Sequence, residues 1–248
     1  MQVVIETDPI KLWVPPTSSV LAEKEHFDAA FTPFFRTEQI MISLDNSGTV
    51  LNDTYGANYS ARVNVTGLMD VNVFLAVKRL VDRVTSIVVP YEQTAADGTT
   101  TTINVTWDSV CTHYHGSKRG CALQSPTEWF AFTGNLQPGL SQDDFTAQLT
   151  KCLGNVVFYQ DCRGSIGVPS FPYVTLGGYP AIRVNSSQYL NATMLIVTLL
   201  LDNEPYLNDP AKAWEKEFLK LASEPEYTSL IGLKVIRYVC RQIYADPG

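Results

Sequence analysis

Two pairs of cysteines constrain the fold of this 248-residue chain more than any other feature. Cys111 and Cys121 bracket a short polar loop, and Cys152 and Cys162 bracket another loop of the same spacing. This arrangement is typical of two local disulfides formed in an oxidising compartment, although the sequence leaves other pairings open. Cys240 is left over, and we expect it to be either a buried thiol or a residue that pairs only in a longer natural chain.

The cysteines do not form a zinc motif, because no C-x-x-C cluster is present. The nearest approach is His113 and His115 beside Cys111. Two histidines in a disulfide loop are usually surface residues, so we predict neither a metal site nor a cofactor.

Asparagine usage indicates the same compartment as the cysteines. Six of the twelve asparagines open an N-x-Ser/Thr sequon with a non-proline middle residue, where chance gives about two. We therefore predict glycosylation in a lumen. The six predicted sites are Asn52, Asn58, Asn64, Asn104, Asn185 and Asn191.

The chain also begins without a recognisable signal peptide. A glycosylated, disulfide-bonded sequence without its own export signal is best explained as a piece of a larger protein, with Met1 as an expression start. We therefore expect residues 1–248 to form a single lumenal domain excised from that protein.

Composition excludes several classes of function. The formal net charge of −7 disfavours binding to a nucleic-acid backbone. The longest strongly apolar stretch, residues 194–201, is much shorter than the roughly 20 residues of a membrane-spanning helix. Serine-hydrolase and phosphate-binding glycine motifs are absent, and Asp143-Asp144 is a poor acid–base pair because adjacent residues rarely converge on one atom. We predict that the domain is not an enzyme.

Apolar periodicity predicts a mixed α+β chain without internal repeats. The most apolar strand, residues 192–201, should be central in a sheet, and Asp97-Gly98 should turn a hairpin. Val20, Phe27 and Phe31 share one face of the first helix. The predicted helices are 20–31, 70–85, 126–132 and 210–222, and the predicted strands are 3–6, 34–43, 86–91, 99–107, 171–176 and 192–201, with a strand or strand plus helix over 230–244.

Two segments are predicted to be open surface loops. Residues 45–66 are polar and turn-rich and contain Tyr55 and Tyr59, and a loop of that length is usually functional or disordered. Residues 134–144 place Leu136, Pro138 and Leu140 around a Pro-Gly turn. Because apolar side chains at a turn are costly to leave in water, this tip is a candidate contact point.

Several segments, which occur in the same order along the chain, resemble segments of the Niemann-Pick type C family of membrane proteins and their Patched-like relatives. They include Leu176-Gly177-Gly178-Tyr179 and Ala211-Lys212-Ala213-Trp214-Glu215-Lys216-Glu217-Phe218. The remaining segments are residues 8–13, 23–28, 31–39, 171–174 and 191–193.

The resemblance implies the middle lumenal domain of a polytopic sterol transporter of resistance-nodulation-division ancestry, located in the lysosome or vacuole. Its implied fold is an α+β, ferredoxin-like core with two protruding loops. Its implied task is to dock the soluble Niemann-Pick type C sterol carrier, so that sterol passes to the transporter. An alternative is the ectodomain of a Patched-type or other sterol-sensing protein that binds a different secreted ligand or a lipid.

Docking in that family uses the two loops. Carried over by position, the partner-binding residues are Tyr55, Gly56 and Tyr59 in the first loop and Leu136, Pro138 and Leu140 in the second. The second loop lacks the adjacent aromatic pair that the family displays there, so aliphatic side chains would have to replace it.

Overall fold

The computed structural model describes residues 14–15, 17–31, 36–44, 49–53, 60–65, 67–95, 97–114, 120–179, 186–203, 207–221 and 233–240. The helices are α1 (Ser19–Phe31), α2 (Val71–Thr85), α3 (Trp107–Val110), α4 (Gln142–Asn155), α5 (Pro172–Thr175), α6 (Ser186–Tyr189) and α7 (Asn208–Leu221), with 3-10 helices at Pro126–Phe130 and Gln160–Cys162. The strands are β1 (Arg36–Leu44), β2 (Thr49–Asp53), β3 (Ser60–Asn64), β4 (Val88–Thr94), β5 (Thr100–Thr106), β6 (Leu123–Gln124), β7 (Leu176–Gly177), β8 (Met194–Leu201) and β9 (Leu233–Cys240).

The main sheet has the strand order β6-β8-β1-β9, with every neighbouring pair antiparallel, and β7 also pairs with β8. Along the chain, its elements follow the sequence β1-α2-β6-β8-α7-β9. In this β-α-β-β-α-β arrangement the third strand lies between the second and the first, and the fourth pairs with the first. This is the ferredoxin-like topology, which confirms the predicted α+β fold class.

One face of this sheet packs against the hydrophobic core. Ile40 and Ile42 of β1 pair with Val197 and Leu195 of β8, and all four side chains are fully buried. The strand predicted to be central is central, because β8 lies between β6 and β1. Its alternate residues point into the core, as the pleat of a strand requires.

The helix predicted over 70–85 is confirmed as the central core helix. Asp70 caps α2 by accepting a hydrogen bond from the Asn72 N–H at 2.8 Å. The stripe from Val71 to Val84 is buried, including Phe74. The predicted hairpin is also confirmed: Gly98 takes φ 83° between β4 and β5.

Three predictions of local structure are wrong. The segment 45–66 contains the paired strands β2 and β3, because Val50, Leu51 and Val63 favour extended backbone. The segment 171–176 begins with the short helix α5, in which Pro172 occupies the first turn where its missing N–H costs nothing. The long helix α4 was not predicted at all, and it shortens the supposed loop 134–144.

Predictions at the ends of the chain have mixed outcomes. Helix α1 is confirmed, but Val20 and Phe27 are exposed instead of forming a buried face. Helix α7 begins at Asn208, two residues before the predicted first helical position at Pro210. The predicted strand 3–6 lies outside the described residues. In the part of the chain described, no helix has both the length and the apolar character to cross a membrane.

Three insertions extend from the ferredoxin-like frame. The β2–β3 hairpin lies between β1 and α2, and the β4–β5 hairpin with α3 lies between α2 and β6. The third insertion, residues 125–193, separates β6 from β8 and carries most of the surface described next.

Candidate docking surface

Helix α4 forms the base of the candidate surface. Ser141 caps it, because its Oγ accepts a hydrogen bond from the Asp144 N–H at 3.1 Å. Phe145 stacks on Phe130 with ring centroids 5.2 Å apart and meets Phe74 of α2 edge-on at 4.9 Å. These buried aromatic contacts fix α4 against the core helix.

A side-chain clamp holds the start of α4 against the start of α2. The Val71 N–H donates to Gln142 Oε1 at 3.0 Å, and Gln142 Nε2 donates to the Met69 carbonyl at 3.1 Å. One glutamine thus satisfies two backbone groups near the end of another helix, which makes the junction rigid.

The turn before α4 contains the three residues predicted for the second docking loop. Pro138 and Leu140 are half-buried, and Gly139 takes φ 95° between them. Leu136 is only 6% exposed and belongs to the core, so its expected exposure at a protruding tip is wrong. The physical reason is that Leu136 belongs to the same buried apolar cluster as Phe130, so its side chain is kept out of water.

Both predicted disulfides are present. Cys111 pairs with Cys121 and Cys152 pairs with Cys162, with Cα–Cα distances of 5.4 and 5.3 Å. Cys240 is the last residue of β9, opposite Thr37 of β1.

The loop closed by Cys152 and Cys162 carries three large side chains in a row, Val157, Phe158 and Tyr159, which we call the aromatic tip. Phe158 is 75% exposed, Val157 is 53% exposed, and Tyr159 is also exposed. Three consecutive exposed residues of this type make the aromatic tip a candidate contact surface.

The aromatic tip is ordered by its neighbours. Asn155 Oδ1 accepts a hydrogen bond from the Phe158 N–H at 3.0 Å, and the two aromatic rings of the tip meet edge-on at 5.1 Å. Lys151 Nζ lies 4.9 Å from the centre of the Tyr159 ring and forms an ion pair with Asp161. The tip therefore presents its rings from a fixed backbone.

A groove of about 390 Å³ lies along α4. Leu140 of the turn lines it, and so does Lys151, whose side chain also contacts the Tyr159 ring of the aromatic tip. Gln148 forms part of the wall and donates to the carbonyls of Trp129 and Asp161, both at 3.1 Å. The turn and the groove thus share Leu140, and Lys151 connects the groove to the aromatic tip.

A larger cavity of about 510 Å³ lies on the other side of Leu136 and Phe130. Glu128 borders it, and its Oε2 accepts hydrogen bonds from the Ser165 N–H at 2.7 Å and Oγ–H at 2.9 Å. Burial raises the pKa of Glu128, while the two bonds from Ser165 and the charge of Lys78 act in the opposite direction.

The remaining predicted site residues lie partly within and partly outside the described residues. Tyr55, Gly56 and Tyr59 lie outside the described residues, as do Asn58 and Asn185. Asn52 and Asn64 lie on β2 and β3, and Asn104 and Asn191 are exposed.

The aromatic tip and α4 were missed, although α4 left a signal in the sequence. Ser141 followed three residues later by Asp144 is an N-terminal capping pattern, and Phe145, Leu149 and Cys152 follow at helical spacing. The tip left only an apolar run within a disulfide loop.

Comparisons with known proteins agree with this architecture. The family described as "NPC1, middle luminal domain" matches residues 24–234. The NPC1-like intracellular cholesterol transporter 1 of Rattus norvegicus is 27% identical over 240 residues, and the NPC intracellular cholesterol transporter 1 of Sus scrofa is 28% identical over 237 residues. The NPC intracellular cholesterol transporter 1 homolog 1b of Drosophila melanogaster is 28% identical over 235 residues.

Each of these alignments covers 87% of this chain but 17% of the relative, so the chain spans about a sixth of the length of these proteins. The three relatives are named as transporters, which favours the first of our two expectations over the Patched-type alternative. Because the family model matches most of the length of this chain, the chain belongs to the NPC1 middle luminal domain family.

Proposed function

We propose that this chain is a lumenal domain of an intracellular sterol transporter and that it docks the soluble Niemann-Pick type C sterol carrier. Docking places the carrier where its sterol passes to the rest of the transporter. The family match and the relatives named as cholesterol transporters support this proposal.

The observation that carries the docking role is the exposed aromatic tip beside the groove. Protein interfaces concentrate their binding energy in a few aromatic anchors surrounded by polar groups. Phe158 and Tyr159 have the required exposure, while Asn135, Asp144 and Lys151 line the adjacent groove. Pro138 and Leu140 supply apolar surface at the far end.

The setting of the domain is part of the same proposal. We propose that residues 1–248 form a single domain between membrane helices of a longer protein, facing the lumen of a lysosome or vacuole. The six sequons and the two disulfides support a lumenal location. Tyr55, Gly56 and Tyr59, which lie between β2 and β3 in the sequence, remain proposed contacts of the same carrier.

A calorimetric titration of the disulfide-bonded domain with the soluble sterol carrier, at acidic and at neutral pH, tests the proposal. We expect saturable one-to-one binding that Phe158→Ser weakens at least tenfold, as expected when an interface anchor is truncated. Val157→Ser should also weaken binding, whereas its matched control Val88→Ser should not, because Val88 is similarly exposed, at 56%, but lies on the separate β4–β5 hairpin.

Absence of binding at both pH values refutes the docking function. Binding that survives Phe158→Ser and Leu140→Asp unchanged leaves the function standing but refutes this surface. Tyr55→Ala then tests whether the β2–β3 hairpin alone binds the carrier.

A further inference from the structure

Four potential metal ligands converge around the Cys111–Cys121 disulfide. Asp108, Cys111, His113 and Cys121 each place one ligand atom within 4.8 Å of the others. The sequence suggested only the histidine and the cysteines, because Asp108 reaches the cluster through the short helix α3. His115 lies outside the described residues and is not needed for the argument.

Backbone structure on both sides positions the cluster. Thr106 caps α3 through its Oγ1, which accepts from the Ser109 N–H, so Asp108 lies in the first turn of that helix. Cys111 forms a bridge with Leu201 at the end of β8, and His113 forms an antiparallel bridge with Cys121. The cluster is therefore attached to the central sheet, and its two chain segments are paired.

Three distances between the ligand atoms are already within a few tenths of an ångström of those in a tetrahedral zinc site. Cys111 Sγ lies 3.8 Å from His113 Nε2, Cys121 Sγ lies 3.9 Å from Asp108 Oδ1, and His113 Nε2 lies 3.4 Å from that oxygen. With bonds of about 2.3 Å to sulfur and about 2.0–2.1 Å to nitrogen and oxygen, the edges of a zinc tetrahedron measure roughly 3.3–3.8 Å. The two sulfurs, which are bonded to each other, are too close together for a shared metal ion until the disulfide is reduced.

We propose that reduction of the Cys111–Cys121 disulfide converts this cluster into a Zn²⁺ site with two thiolates, one imidazole and one carboxylate as ligands. In the reduction, two equivalents of a thiol reductant form their own disulfide and leave two cysteine thiols. Zinc then displaces one proton from each thiol and binds the lone pair of neutral His113. Cys121 is half-buried and Cys111 is buried, so the reductant attacks at Cys121.

The second disulfide serves as a comparison. It shows that pairing two cysteines does not by itself bring other potential metal ligands close to the sulfurs. Cys152 and Cys162 have the same sequence separation of 10 residues. Among the described residues, however, Asp108, Cys111, His113 and Cys121 are the only group of three or more such ligands close enough to hold an ion. Around Cys152 the neighbours are the Gln148 amide and the Trp129 carbonyl, which are poor zinc ligands.

Cobalt(II) titration of the folded chain tests the site, because tetrahedral Co²⁺ with thiolate ligands has a distinctive visible spectrum. The disulfides are first reduced with a phosphine, which gives two electrons to each disulfide and becomes the phosphine oxide, while water supplies the oxygen and the two thiol protons. We expect no spectrum from the oxidised protein, one equivalent bound after reduction, and displacement of Co²⁺ by Zn²⁺. The double variant Cys152→Ser/Cys162→Ser should still bind one equivalent, and Cys111→Ser/Cys121→Ser should bind none.

Two single variants separate a built site from binding by free thiols. His113→Ala and Asp108→Asn should each weaken Zn²⁺ binding at least tenfold, since even changes outside the ligand shell cost roughly 10–100-fold. Equal binding by these variants and the parent, or binding that survives Cys111→Ser/Cys121→Ser, overturns the proposal. Loss of the near-ultraviolet circular dichroism on reduction that Zn²⁺ does not restore also overturns it, because the site requires the folded backbone.

Discussion

Substitution of Leu136 by alanine distinguishes a core position from a docking position within the 134–140 turn. The leucine is 6% exposed and shares the wall of the 510 Å³ cavity with Phe130. The change removes three buried carbons, and at about 0.8 kcal/mol per carbon the transfer cost is about 2.4 kcal/mol. The side chain already borders open space, so the added cavity cost is small and we expect a total of about 2–3 kcal/mol.

Urea unfolding followed by far-ultraviolet circular dichroism, with both disulfides intact, measures this cost. The unfolding midpoint of Leu136→Ala should fall with an unchanged slope, and the melting temperature should fall by roughly 5–10 °C for a domain of this size. Phe158→Ser should change the free energy of unfolding by less than about 0.5 kcal/mol, because the ring is 75% exposed. Equal losses in the two variants, or a loss below about 1 kcal/mol for Leu136→Ala, would refute the burial argument.

Three further predictions concern stability. Burial raises the pKa of Glu128, so the stabilisation from its protonated form is present below about pH 4.5 and is lost as the pH rises through the folded-state pKa. The unfolding free energy of Glu128→Gln minus that of the parent should therefore rise with pH. A difference that does not change with pH would contradict this. Arg36 and Glu215 form a buried ion pair at 2.6 Å, so Arg36→Met should cost about 3–5 kcal/mol in urea unfolding. Arg36→Met/Glu215→Leu should recover most of that loss, and no recovery would argue against the pair. Ser141→Ala should cost about 1 kcal/mol because α4 loses its cap, and Ser141→Asp should not.

Sequence patterns correctly predicted the elements in which many side chains are buried in a simple pattern along the chain. Residues 192–201 were predicted as a central strand because they form the most apolar strand-like run of the chain, which is typical of a strand inside a sheet. Helix α2 was predicted because Val71, Phe74 and Val81 recur on one face. In both elements many residues are buried, so the spacing of apolar residues in the sequence reflects which side chains face the core.

The same reasoning failed where few residues carry the burial. Helix α4 buries only four of its fourteen residues, and Asp143 and Asp144 in its first turn were considered only as a possible acid–base pair. The aromatic tip presents a different problem, because Val156 is 5% exposed and its neighbour Val157 is 53% exposed. Composition does not distinguish two adjacent valines, and their burial depends on how the disulfide loop leaves the end of α4.

Within the third insertion, buried residues support the candidate surface and exposed residues form it. Phe130, Phe145 and the Cys152–Cys162 disulfide are buried, and the two phenylalanines connect the insertion to α2 through aromatic contacts. The aromatic tip lies between the two ends of that disulfide, so its backbone loses little freedom when a partner binds, and most of the apolar burial goes into affinity. Substitutions in the tip should therefore act on binding, and those beneath it on folding. Leu136 belongs to the second group, although its position in the sequence suggested the first.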